Sequence, residues 1–218
     1  MSQAPPPPPS MPPPPSSGPP PSPTPAGAYP VRLGFERGLE VDRWRPIVNW
    51  LLAIPQIIIA YVLWIIEGVI AFLCFFLVLF TREIPEPIFT FRVMVYRYVW
   101  RVLSYANFMR NEYPPFSFVT VVPDDGIDPA TFTVDPPGEM NRWAPLYKWI
   151  LAIPHYFVLW LLEIGVLIAW VIAFFAVIFT AEYPQALRDY VVGVTRWYFR
   201  VNAYVLFMTD EYPPFSLQ

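Results

Sequence analysis

Apolar and polar positions alternate along this chain in long blocks. From Pro46 to Phe80, 35 residues contain one charge, Glu67; from Pro145 to Phe179, another 35 contain Lys148 near the start and Glu163 within. A helix needs about 20 apolar residues to cross hydrocarbon. Each run therefore predicts one long or tilted helix that crosses once, with surplus length at the Trp50/Pro55 and Trp149/Pro154 ends. Tryptophan favours the headgroup layer, and proline there bends an interfacial turn into the span. Short acidic, proline-containing breaks follow, Thr81 to Pro87 and Thr180 to Pro184. Beyond them lie second segments, about Ile88 to Arg110 and Gln185 to Thr209. Both are long enough to cross, but they carry arginines four apart on one helical face, Arg97 with Arg101 and Arg196 with Arg200. Period-two alternation at Tyr29–Glu36, Phe116–Val122 and Thr131–Val134 predicts short strands in a small sheet outside the bilayer.

The blocks repeat at an offset of 99 positions. Arg43-Trp44-Arg45-Pro46 and Trp50-Leu51-Leu52-Ala53-Ile54-Pro55 return as Arg142-Trp143-Ala144-Pro145 and Trp149-Ile150-Leu151-Ala152-Ile153-Pro154. Glu112-Tyr113-Pro114-Pro115-Phe116-Ser117 returns as Glu211-Tyr212-Pro213-Pro214-Phe215-Ser216. A duplicated unit that holds an apolar run predicts two-fold pseudo-symmetry. The expected fold is an all-α membrane protein with minor β: two tandem transmembrane helical hairpins, about four spans. The expected divisions are a disordered proline-rich tail over 1–28, repeat 1 over 29–122, a linker over 123–137 and repeat 2 over 138–218.

Charges inside the bilayer are costly and are usually paired and turned inward. Folded as a hairpin about Ile84, repeat 1 places Glu67 and Arg101 each 17 residues from the turn. The expected clusters are Glu67 with Arg97 and Arg101, and Glu163 with Arg196 and Arg200. Three readings stand open: a structural lock for the arginine helices, an ion, proton or lipid-headgroup site between the repeats, and arginine helices lying flat in the interface. Trp44, Trp50, Trp143, Trp149, Tyr113 and Tyr212 are the expected interfacial anchors, and paired prolines after each arginine helix stop it. Basic residues concentrate on the side of Arg32, Arg37, Arg43, Arg45, Arg110, Arg142 and Lys148, which puts both termini in the cytoplasm.

Composition narrows the function. At 56% apolar and 14% charged, the chain is greasier than an ordinary soluble domain. A net charge of −3 offers nucleic acid no footprint. Cys74 is the single cysteine and sits in an apolar run, so no internal disulfide forms. The start of the chain, proline-rich rather than basic then apolar, predicts no cleaved signal. The tail holds nearly half of the 30 prolines and cannot form helix or sheet. It is expected to bind a protein partner through an aromatic groove, the plainer alternative being a soluble spacer. His155 lacks companions with metal-ligand spacing, and no phosphate loop or nucleophile elbow appears. Asp124, Asp125 and Asp128 form an acidic turn short of a calcium loop. Neither enzyme activity, metal nor cofactor is expected.

The Tyr29-Pro30-Val31-Arg32-Leu33 opening, the Lys148-Trp149-Ile150-Leu151-Ala152-Ile153-Pro154-His155 block and the Arg196-Trp197 to Ser216 block together resemble one family. It is an actinobacterial membrane-protein family, commonly in tandem copies, known as a domain of unknown function (DUF4389-like). The resemblance implies a bacterial inner-membrane protein in contact with lipid, and brings no site residues with it. Repeat 1 departs at Asn49 and Gln56, where repeat 2 has Lys148 and His155. The expected role is a membrane scaffold or accessory protein; the alternative is a small transporter or lipid-binding protein using the Glu/Arg clusters.

Overall fold

Each apolar run folds as one nearly continuous helix. The structure, a computed structural model, describes residues 29–122, 124 and 126–218; the proline arm expected over 1–28 lies outside them, as do Pro123 and Asp125 of the acidic turn. Repeat 1 runs through β1 (Val31–Phe35), α1 (Arg45–Leu52), α2 (Ile54–Thr81) and α3 (Glu86–Ala106). The second unit opens with β2 (Ala130–Val134), the counterpart of β1 at the 99-residue offset and inside the stretch expected as a linker, and continues through α4 (Ala144–Thr180) and α5 (Gln185–Val205). The first run is interrupted only at Ala53, whose amide still reaches Asn49 O at 2.7 Å. In repeat 2 the helix continues through Pro154.

Both long helices end at a residue in the left-handed region, Arg82 (φ 65°) and Ala181 (φ 62°). A threonine seals each end. Thr81 Oγ1 donates to Leu77 O, and Thr180 Oγ1 to Ala176 O, both at 2.7 Å. The same hydroxyls accept the amides of Glu83 and Glu182.

Among the described residues two helices, α2 and α4, are long and apolar enough to cross a membrane, each reaching a mean hydropathy of 2.7. The four spans expected from sequence therefore reduce to two helices of that kind. The arginines of α3 and α5 lower their apolarity, and the fold buries these helices in protein instead. α3 packs against α2 on one side and β2 on the other; α5 packs against α4 and β1. Three layers result: α2 and α4, then α3 and α5, then the strands.

The sheet differs from the expected one. β1 and β2 pair antiparallel, Val31 opposite Val134 and Phe35 opposite Ala130, so the two repeats' leading segments form it together. Val31, Leu33, Ala130, Phe132 and Val134 turn inward and are buried. The alternation at Phe116–Val122 does not become a strand, because the Val121 and Val122 carbonyls go to the Arg97 guanidinium at 3.0 and 2.9 Å.

Main-chain bonds fix how the repeats meet. The Val41 amide, ahead of α1, donates to Ala181 O at the end of α4 (2.9 Å), and the Met140 amide, ahead of α4, donates to Arg82 O at the end of α2 (2.9 Å). The start of each repeat thus sits on the turn of the other, and α2 and α4 run in opposite directions; the single basic side expected from sequence is corrected, since Arg43 and Arg142 stand at opposite ends. Equivalent aromatics bolt this arrangement. Phe108 packs on Trp170, Phe174 and Tyr183 of repeat 2. Phe207 packs on Phe75 of repeat 1. Both adopt positive φ, 46° and 65°, which a bulky residue tolerates only where packing over-determines it.

Candidate functional site

Of the residues expected to form charge clusters, Glu67 is buried and paired, but with Arg92. Arg92 Nε and Nη2 donate to Glu67 Oε1 at 2.9 and 2.8 Å, and both side chains are at most 1% exposed. The expected pairing with Arg97 and Arg101 is therefore corrected. The break contributes to this: residues 82–85 are not helical, so residues counted across it do not measure depth along α2 at the roughly 1.5 Å per residue of a helix. α3 begins further back along α2 than a residue count implies. In the sequence Arg92 is a basic residue near the turn, and nothing local distinguishes it from Arg97 and Arg101 as the partner of Glu67.

Arg97 and Arg101 point away from α2, toward the linker and sheet. Arg97 Nε lies 2.9 Å from Asp124 Oδ2 and donates to Phe132 O at 3.3 Å. Arg101 Nη2 donates to Asp124 Oδ1 at 3.1 Å. Asp124 Oδ2 also accepts the Phe132 amide at 3.1 Å. Asp128 completes the network, accepting from Arg110 Nη1 at 2.5 Å and from the Ala130 amide at 2.9 Å. Burial pushes the Arg110 guanidinium below its ordinary value, and Asp128 beside it opposes that shift. The sequence showed Asp124 and Asp128 as an acidic turn; their partners lie 23 and 18 residues earlier, at Arg101 and Arg110.

Repeat 2 uses carbonyls alone where repeat 1 adds carboxylates. Arg196 Nε donates to Leu33 O (2.8 Å) and its Nη1 to Leu217 O (2.9 Å). Arg200 Nε donates to Val31 O (3.3 Å), and its Nη1 to Gln218 O. The spacing is physical. Four helical residues advance about 6 Å, and two strand residues about 6.6 Å, so arginines four apart meet every second carbonyl on an open strand edge. Arg97 does the same for β2. These arginines close the two free edges of a two-stranded sheet, which otherwise present unpaired main chain. Neither Arg196 nor Arg200 meets Glu163, which has no ion-pair partner among the described residues and is exposed.

The positions where the repeats differ have matching duties. Asn49 Nδ2 donates to Tyr105 O (3.1 Å) and Arg110 O (3.3 Å); its counterpart Lys148 donates to Thr209 O (2.7 Å) and pairs with Asp210 (2.9 Å). Gln56 donates to Pro114 O at 2.8 Å and accepts from the Tyr98 hydroxyl. Its counterpart His155 accepts from Trp197 Nε1 at 3.1 Å through Nδ1 and stacks on Phe215, ring centroids 3.9 Å apart. All four latch the start of a long helix to the chain leaving its hairpin. Among the described residues no group of three acidic, histidine or cysteine side chains is arranged to hold a metal ion.

Trp44, Trp50, Trp143 and Trp149 are exposed, between 46% and 60%, and Tyr113 and Tyr212 are exposed at 38% and 45%. Tyr113 rests on Tyr105 and Phe116, and the Tyr212 hydroxyl donates to Leu151 O at 3.3 Å. A cleft of about 520 Å³ opens between the repeats. Val99, Val102 and Val191 from the middle layer and Ile57 and Tyr61 of α2 line it, with Glu163 of α4 on its wall.

No curated protein and no solved structure matches the chain. A family model described as "Domain of unknown function (DUF4389)" matches residues 43–117 and again residues 142–216, together more than half of the 218 residues, and the chain belongs to that family.

Proposed function

We propose that the protein is a non-catalytic scaffold or accessory protein of the bacterial inner membrane, held there by α2 and α4. The observation that carries the reading is where the apolar surface lies. The stripe of α2 through Glu67, Ala71, Cys74 and Val78 is buried, while Ile58, Ile65, Val69, Phe72 and Phe76 on its opposite side are exposed. A helix apolar all round yet buried on one stripe has found only part of its solvent inside the protein. The arginines, by contrast, are engaged in holding the repeats and the sheet together, which favours a structural lock over a reactive centre. Alkaline extraction of native membranes followed by gentle purification tests the proposal. Retention in the membrane with a stoichiometric partner protein supports it; release into the aqueous fraction refutes the membrane role.

The cleft favours a second reading, a lipid-binding protein. Its apolar lining and single carboxylate fit a ligand with an apolar body and a cationic or hydrogen-donating head. Native mass spectrometry of the purified protein should then show a retained lipid that Glu163→Gln releases. Equal retention by both forms rejects this reading.

A further inference from the structure

We infer that α2 and α4 do not cross the bilayer but lie along one leaflet, the sheet facing water on the opposite side of the molecule; the inference rests on the membrane reading above.

What stands level with the middle of the helices decides their orientation. Set upright, α5 is about 31 Å long, close to the roughly 30 Å of hydrocarbon, and its midpoint falls near Thr195. Arg196, one residue on, holds Leu33 O, so β1 would lie at the bilayer centre. The outward face of the sheet there is polar. Arg32 and Asp135 pair at 2.6 Å with side chains 39% and 46% exposed, and Glu36 is exposed at the other end of β1. Only about 13 Å of strand separates Arg32 from Glu36, less than half the hydrocarbon thickness. An upright molecule would press ionised groups and a two-stranded sheet against acyl chains, where neither persists.

Laid flat, the same surface meets water and the apolar layer meets lipid. The exposed positions of α2 from Ile57 to Phe80 cover about 180° of arc at 100° per residue, centred opposite Glu67 and hence opposite α3. One helix diameter, about 10 Å, matches the depth to which interfacial helices sink. Because the repeats run in opposite directions, exposed Trp44 with Arg43 and exposed Trp143 with Arg142 mark opposite ends of the layer. Each pair sets an aromatic ring and a cation at headgroup level, complementary to lipid phosphate. A second copy of the chain would cover the crest of this rounded surface and leave its flanks bare, whereas fluid lipid follows them.

Variants of the full chain that each add one cysteine, Glu83→Cys, Glu182→Cys and Thr133→Cys, in native inner membrane, test the placement; the native Cys74 is buried. Right-side-out and inverted vesicles are treated with a membrane-impermeant maleimide, and sedimentation with the vesicles is scored separately. Glu83 and Glu182 sit in the turns at opposite ends of the helix layer and are exposed. The expected result is labelling of all three from the same single side. Labelling of the two turn positions from opposite sides, or a Thr133→Cys thiol reached from neither side, overturns the flat placement while leaving the membrane reading intact. Failure to sediment with the vesicles refutes the membrane reading itself.

Discussion

Removing one member of the Glu67–Arg92 pair should cost more than removing both. Arg92 meets Glu67 at 2.8 and 2.9 Å with essentially no solvent access, and its Nη1 reaches Cys74 Sγ at 3.7 Å. Glu67→Met leaves the guanidinium buried without its counter-charge, and Arg92→Met does the same to the carboxylate. Stripping one partner from a buried pair typically costs about 3–5 kcal/mol. At this chain length about 2–4 °C of melting temperature accompanies each kcal/mol, so either single variant should melt roughly 10 °C lower. The double variant Glu67→Met/Arg92→Met replaces the pair by apolar groups between α2 and α3, and such exchanges run from neutral to about 4 kcal/mol stabilising. It should recover most of the loss. The assay is thermal unfolding of all four proteins in one detergent, read as a double-mutant cycle. Single variants that melt with the parent, or a double variant whose loss equals the sum of the singles, would refute the pairing.

The strand-edge caps predict an asymmetry: Arg97→Met should lower the denaturant midpoint more than Arg196→Met, since it strips a buried carboxylate, Asp124, as well as carbonyls. Charge-assisted bonds are worth about 1.5–3 kcal/mol each; equal midpoints would show that Asp124 is held by Arg101 alone. Phe108→Ala removes a ring packed on three aromatics of the other repeat and should cost about 3–5 kcal/mol, less whatever strain the positive φ releases. Thermal unfolding checks it, and a loss under 1 kcal/mol would show that the ring is dispensable to the contact between repeats.

The sequence disclosed the parts of this fold whose cause is local. The duplication, the two greasy helices with their ends at Thr81 and Thr180, and the arginine helices followed by paired prolines all follow from composition and period. What escaped it depends on path length and on partners distant in the chain. Counting residues around Ile84 treats the break as helix, whereas residues 82–85 are not helical and Arg92, not Arg101, stands opposite Glu67. Arginines four apart were legible as one helical face, yet nothing local says that the face meets strand carbonyls more than 160 residues away, as Arg196 meets Leu33. The segment Phe116–Val122 shows the opposite failure. Its alternation satisfies the strand period, but a guanidinium captured its carbonyls before another strand did.

The way the leading segments cross over makes a single repeat incomplete. β1 belongs to repeat 1 but packs on α5, while β2 belongs to repeat 2 and packs on α3. A fragment of residues 138–218, which leaves β2 on the other piece, keeps Arg196 and Arg200 with the carbonyls of Leu217 and Gln218, yet loses Leu33 O and Val31 O, and with them the apolar cover of Val31 and Leu33. Its Lys148 and His155 latches stay intact, so α4 and α5 should still form helix. The exposed inner face of α5 and the loss of Phe108 from α4 should nevertheless leave the fragment sensitive to protease. Co-expression with residues 29–137 restores every missing contact except the peptide bond. The two fragments should therefore co-purify and resist protease together, because the bonds that join the repeats run between their starts and their turns rather than through the junction itself. A fragment 138–218 that resists protease alone as well as the full chain does would show that the exchanged strands are an ornament of the fold and not its closure.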